Sequence, residues 1–241
     1  MVTNMAPIND RSALLAIETS SNSCSLALLT LSEVVAERVN TEPNIHAKQI
    51  AVFAQELLEE AEQKGLQIEG IALSSGPGSY TGLRIGASFA KGYAFATGKP
   101  IVAISTLEAL ASGFLQSNQL ASDACIISMI DAGRMEVYTA SYTPLLEEIS
   151  SPQAAIITDE SFQEFAGASP IYFIGNGALK CQDTLQLPNA SFQHFECLAR
   201  NMQKIAFDRY AKGKFVNLAY WEPDYIKPYN AIVAKNKILN R

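Results

Sequence analysis

A chain of 241 residues, 48% hydrophobic and 17% charged, carries enough apolar material for a sizeable core and reads as one large or two small globular domains, which argues against a disordered chain. A formal net charge of -6 argues against a protein that grips nucleic acid by itself, since that grip depends on Lys and Arg neutralising phosphates. Cys24, Cys125, Cys181 and Cys197 form no C-x-x-C pair, and no secretory opening or membrane-length apolar run is present, so the chain is expected to be reduced, cytoplasmic and free of the membrane, with residues 1–12 as a flexible polar leader.

Ala13 to Ile17 and Ser25 to Thr30 are apolar, strand-like runs joined by Glu18-Thr19-Ser20-Ser21-Asn22-Ser23, the pattern of an opening hairpin. A third strand is expected from Val34 to Val39. Asn44 is then placed to cap a helix from Ile45 to Lys64, whose apolar residues Ile50, Phe53, Ala54, Leu57, Leu58 and Ala61 hold the helical period before Gly65 closes it. A strand around Ile71 ends at Gly76-Pro77-Gly78, where the turn chemistry is strong.

The helix that follows, capped by Ser79 or Thr81, places Gly82, Gly86, Ala90 and Ala94 on one face with almost no side-chain bulk. Such a face lets another backbone come close, and it is expected to be a contact surface. Two phosphate motifs fail at this turn: Thr81 stands where a dinucleotide fingerprint needs its third glycine, and Leu83 stands where a P-loop needs its lysine.

Further on, a strand at Ile101 to Ile104 leads into a helix with a Ser105/Glu108 capping box, and strands from Cys125 to Ile130 and Met135 to Tyr142 flank the turn Asp131-Ala132-Gly133-Arg134. Asp131 and Arg134 read either as turn chemistry or as functional groups. The pattern then repeats more weakly, with a strand near Ala155 to Thr158, a helix opened by Ser161, a strand at Ile171 to Ile174, Gly175-Asn176-Gly177, and a last helix from Cys197 to Lys212. Trp221, Tyr225 and Tyr229 can anchor an extended, proline-interrupted tail. The alternation of strands and helices implies α/β sheets covered by helices.

Catalytic chemistry is hard to find. His46 and His194 are the only histidines, their spacing matches no zinc motif, and no serine lies in a nucleophile elbow. Glu18, at a strand end beside hydroxyl residues, is the best-placed carboxylate for nucleotide or substrate work, although local turn hydrogen bonds explain the same cluster.

IETSSNSCSLALL at Ile17 to Leu29, GPGSYTGLRIGASFAKG at Gly76 to Gly92, STLEALA at Ser105 to Ala111 and MIDAGRMEVY at Met129 to Tyr138 together resemble the bacterial TsaB proteins, also called YeaZ. The resemblance implies a two-lobed fold of the actin, Hsp70 and sugar-kinase type, with an N-lobe over 13–112 and a smaller C-lobe with the tail over 113–241. It also implies a role in making N6-threonylcarbamoyladenosine at position 37 of tRNAs reading ANN codons, as the non-catalytic partner of the transferase TsaD, joined by the ATPase TsaE. Partner contact is then expected through the two N-lobe helices, at Ile50, Phe53, Leu57, Gly82, Ile85, Gly86, Phe89 and Ala90, and a homodimer is expected when the partner is absent. The tRNA would be reached only through the complex. No metal or cofactor of its own is implied, with ADP or ATP at the TsaD interface, near Arg84 or Glu18, left open. The rival reading is a glycoprotease-like peptidase or an ATP-dependent kinase or transferase acting alone.

Overall fold

The computed structural model describes residues 8–167 and 169–227, so Pro228 and Tyr229 of the expected tail lie outside the described residues. The chain opens with β1 (Ser12–Glu18), β2 (Cys24–Leu29) and β3 (Val34–Asn40), an antiparallel meander. After α1 (His46–Gln63), β4 (Gln67–Gly76) pairs parallel with β1, and α2 (Tyr80–Thr97) crosses over to β5 (Ile101–Ser105), parallel to β4. Both faces of this sheet are covered, which is why β1 reads as a nearly unbroken apolar run and is buried throughout. On one face lie α1 and α2 over Leu15, Ile17, Leu26, Ile71 and Leu73.

α3 (Thr106–Ser117) then leads to a second sheet of β6 (Cys125–Asp131), β7 (Glu136–Tyr142), β8 (Glu148–Ile156), β9 (Ile171–Ile174) and β10 (Ala190–Gln193). The first sheet has the order β3-β2-β1-β4-β5 and the second β8-β7-β6-β9-β10: in each, three antiparallel strands are followed by two parallel ones beside the first. The sequence halves therefore fold by one topology twice, the α/β arrangement expected.

The last helix begins as a short 3-10 turn, Ala199–Met202, and continues as α4 (Gln203–Ala211), so it starts later than Cys197. Its Ile205, Ala206, Phe207 and Tyr210 pack under Leu14, Ala72 and Val102 of the first sheet, although the sequence reading grouped these residues with the second half. The segment after α4 also returns to the first half: Val216 N donates to Ile101 O (3.0 Å), Asp224 N donates to Ser75 O (2.7 Å), and Lys91 donates to the Trp221 carbonyl. Lys227 then reaches across to Glu136 of β7.

Several local expectations change. Asn44 is not the α1 cap: it takes a left-handed φ of 60°, and Ile45 occupies the cap position with no side-chain bond. The Ser105/Glu108 capping box does not form, because Glu108 turns instead to Arg209 of α4. The strand expected at Ala155 to Thr158 starts earlier, at Glu148, and the helix expected after Ser161 is only a 3-10 turn, Gln163–Phe165. β10 gave no recognisable signal in four residues.

Candidate docking face and interlobe cleft

α2 begins where Ser79 Oγ accepts from Gly82 N (3.2 Å), and it ends at Gly98 in the left-handed region (φ 70°). The helix is laid tightly on the β1–β2 turn. At Gly82 an added Cβ would press into the Thr19 carbonyl, with Thr19 C at 3.2 Å, and at Gly86 it would meet the Thr19 side chain, with Leu73 Cδ1 at 3.5 Å. Gly82, Gly86, Ala90 and Ala94 are all buried. The small-residue face thus meets the chain's own hairpin and sheet, and the expectation that it is the outer contact surface is corrected. A helix covering a sheet must bury one stripe completely, and this is the stripe that allows the closest approach.

The outward face of α2 is a different row: Thr81, Arg84, Ser88, Gly92, Phe95 and Ala96 are exposed, with Phe95 87% exposed. Ser88, Gly92 and Ala96 repeat the same four-residue spacing. Sequence alone therefore presents two small rows, and nothing local says which one points to solvent.

On α1, Ile50 and Leu57 are core residues at 4% and 0% exposure, so Leu57 leaves the expected surface altogether, while Ile50 only floors the groove beside α2. Half-buried Phe53 shares its flank with Glu56 and Glu60, which pair with Arg38 of β3 (2.6 and 3.3 Å), so it turns towards β3. The exposed positions Ala47, Ala51 and Val52 were missed, and the signal that could have found them is their place one-third of a turn from the buried row.

Between α1 and α2 lies an open groove of about 710 Å³ lined by Ala47, Ile50, Thr81, Ile85 and Ser88, with Tyr80 and Arg84 at one end. Arg84 donates to Tyr80 Oη (3.3 Å) and lies 5.5 Å from the ring centroid, and Tyr225 packs on the same ring at 4.7 Å. Ile85 and Phe89 are half-buried, packed on the core beneath but open on one side. Arg84 and Glu18 do not converge: Arg84 is exposed, and Glu18 is 1% exposed under the hairpin. Glu18 Oε1 accepts from Ser20 N (2.6 Å). Burial pushes its carboxyl up from the ordinary 4.5, and hydrogen bonding from the Ser20 amide pulls it partly back.

The two halves face each other across a cleft of about 350 Å³, lined by Ser20, Asn22, Ser79, Asp131, Gly133 and Asn176. Among the described residues no Lys or Arg lines it, and Asp131, whose carboxyl is pushed up by burial but held below its ordinary range by Lys180 and the Gly133 amide, is ion-paired with Lys180. Part of the amide capacity of the α2 start is used internally, since Ser79 N donates to Ser20 O (2.6 Å) and Gly82 N to Ser79 Oγ, while Gly78 leaves no room beside Ser20 Cβ (2.6 Å from an added Cβ). Asp131 Oδ1 accepts from Gly133 N (2.8 Å) and Arg134 takes φ 48°, which favours turn chemistry for this pair. His46 is buried with Nε2 against Ser21 O (3.1 Å), and His194 pairs with Glu196 (2.6 Å), so neither joins a metal-ligand group among the described residues.

The family model described as TsaD, tRNA N6-adenosine threonylcarbamoyltransferase, matches residues 33–224. The protein named tRNA threonylcarbamoyladenosine biosynthesis protein TsaB from Bacillus subtilis is 32% identical over 166 residues, covering 68% of this chain and 70% of its own length. The chain belongs to the TsaB (YeaZ) family of the TsaD-like superfamily. The Escherichia coli protein of the same name is 29% identical over 226 residues, covering 89% of this chain and 94% of its own length. The solved structure of YeaZ from Pseudomonas aeruginosa superposes with a TM-score of 0.74 at 27% identity, covering 89% of this chain and 99% of that one. In this TsaB-family chain the resemblance stated for the first half thus extends through the second, and the repeated sheet topology is the two-lobed architecture that resemblance implied. No helix among the described residues is long and apolar enough to cross a membrane.

Proposed function

We propose that this chain is the cytoplasmic, non-catalytic partner of the TsaD transferase in N6-threonylcarbamoyladenosine formation on tRNAs that read ANN codons. The observation that carries the reading is the outer face of α1 and α2, where Ala47, Ala51, Ser88 and Gly92 offer a long, nearly uncharged and very low surface. Small residues at these positions let two further helices approach closely, and Phe89, Ile85 and Phe95 supply apolar area to be covered. Two copies of the face would also pair with each other in the absence of TsaD. The cleft's lining, which among the described residues holds no Lys or Arg and whose Asp131 is already paired with Lys180, and the separated histidines support an accessory role over an independent ATPase or peptidase. A nucleotide in the assembled complex would find Arg84, exposed at one end of the groove, as a cation beside the docked partner, and TsaE would join the pair.

Ser88→Trp and Gly92→Glu test the reading, because both positions are open to solvent and neither substitution touches the core. Co-elution with TsaD on size exclusion is expected to be lost in both while the thermal midpoint does not fall, Gly92→Glu gaining helix propensity as it loses the glycine. Modification of tRNA by TsaD, TsaE, threonylcarbamoyl-adenylate and ATP is expected to need the wild-type chain and to fail with either variant. Retained assembly with both would remove this face from the interface, and modification that proceeds equally without the chain would remove the function.

A further inference from the structure

At the opposite end of β7 from the Asp131 turn, a concavity of about 800 Å³ opens where α3, the β7–β8 turn and α4 meet. That is the size of a small-molecule site, and its walls mix apolar surface with a few charges in the way such sites do. Leu115, Leu120, Leu146 and Ile205 supply the apolar part. Its carboxylates are already matched, Glu108 by Arg209 at its base and Asp208 by Lys212. Arg209 is further committed to the Ala103 carbonyl. Lys204 and Lys214 also line it; neither forms an ion pair within 4.0 Å among the described residues, although Lys214 is near enough to Glu108 to pull that carboxyl down. Glu148 lies near enough to act on Glu108 but is not part of the lining, and its carboxylate accepts from Ser151 Oγ (2.6 Å). In a chain of net charge -6, Lys204 and Lys214 thus share one concavity with Leu115, Leu120 and Leu146.

We propose that this concavity binds a small amphipathic anion, with a carboxylate or phosphate head paired to Lys204 and Lys214 and an aliphatic or aromatic body against the leucines. The location gives such a ligand a consequence. α3 packs on β6 and β7 of the second sheet and also on β4 and β5 of the first, α4 packs on β1 and β5 of the first, and the turn belongs to the second, so one bound molecule touches both halves at their junction and resists their relative movement. Because it binds only the folded arrangement, it also raises the unfolding midpoint by mass action.

The test titrates the full chain, observed by NMR of backbone amides and Leu and Ile methyl groups, with octanoate, octyl phosphate, 1-octanol and acetate. Saturable shifts with octanoate or octyl phosphate, centred on Leu115, Leu120, Leu146 and Ile205, are expected, and the tighter of the two identifies the head group. 1-Octanol is expected to bind at least about tenfold more weakly, acetate to cause no saturable shift, and the Lys204→Glu/Lys214→Glu double variant to lose at least about tenfold in affinity at an unchanged thermal midpoint. Octanol binding as tightly as octanoate, a double variant within about twofold of wild type, shifts centred on the α1–α2 groove, or no saturable shift at all would each overturn the proposal.

Discussion

Gly82 and Gly92 lie in the same helix, both small and both helical, yet the structure gives them opposite fates. Replacing Gly82 by Ala drives a methyl group into the Thr19 carbonyl, and the obstacle is backbone that cannot rotate away. Overpacking of this kind costs about 1–3 kcal/mol, and a rigid backbone neighbour puts Gly82→Ala at the upper end. The helix propensity gained by removing a glycine returns about 1 kcal/mol, which leaves a net loss of about 2 kcal/mol. Gly92→Ala collects the same gain with nothing within 4 Å of the new methyl group. For a chain of this length, about 2–4 °C of thermal midpoint corresponds to each kcal/mol, so Gly82→Ala is expected to fall by about 4–8 °C and Gly92→Ala to rise by about 2–4 °C. Calorimetry or urea unfolding of the two variants beside wild type reads the difference directly. A Gly82→Ala protein as stable as Gly92→Ala would refute the placement of this row against the hairpin, and with it the outward face assigned to α2.

Glu18 gives a prediction whose sign follows from its burial. Its folded carboxyl titrates above its ordinary 4.5, so the stability it contributes is complete below that value and is lost as pH rises towards the folded value. Relative to Glu18→Gln, the wild type should therefore lose stability as pH rises above 4.5 in paired urea titrations, and a constant difference from acid to neutral pH would contradict a carboxyl whose burial outweighs its hydrogen bonds. The four cysteines are buried and free, and burial pushes Cys24 up to about 11 and Cys125 up to about 12. Their labelling by a thiol-disulfide reagent near pH 8 should be at least about a hundredfold slower in the native protein than in urea, and rapid native labelling would place a thiol at the surface.

The order of the elements, the first hairpin, the two N-lobe helices and the turn at Asp131 were legible because each is written in local signals: apolar runs, a helical period, and glycine at a turn. Glu108 shows where local reading stops. Its spacing from Ser105 satisfies a capping box, but the rival partner, Arg209, lies 101 residues away in sequence and supplies a charge that a backbone amide cannot match. Asn44 failed for a similar reason, since a cap-forming residue one position too early adopts a left-handed φ and leaves the cap to Ile45. β10 was missed because its four residues gain strand character only by pairing with β9.

The candidate docking face divides in the same way. The sequence by itself determined that α2 would carry rows of small residues and would follow a tight Gly-Pro-Gly turn, since composition and spacing are local facts. Which row faces outward was decided only by the tertiary structure, through the seating of Gly82 and Gly86 on Thr19, a contact that exists only once β1, β2 and α2 are assembled. Rotation of a helix about its axis is set by what it packs against, so the same eighteen residues admit two surfaces until the sheet beneath them is in place.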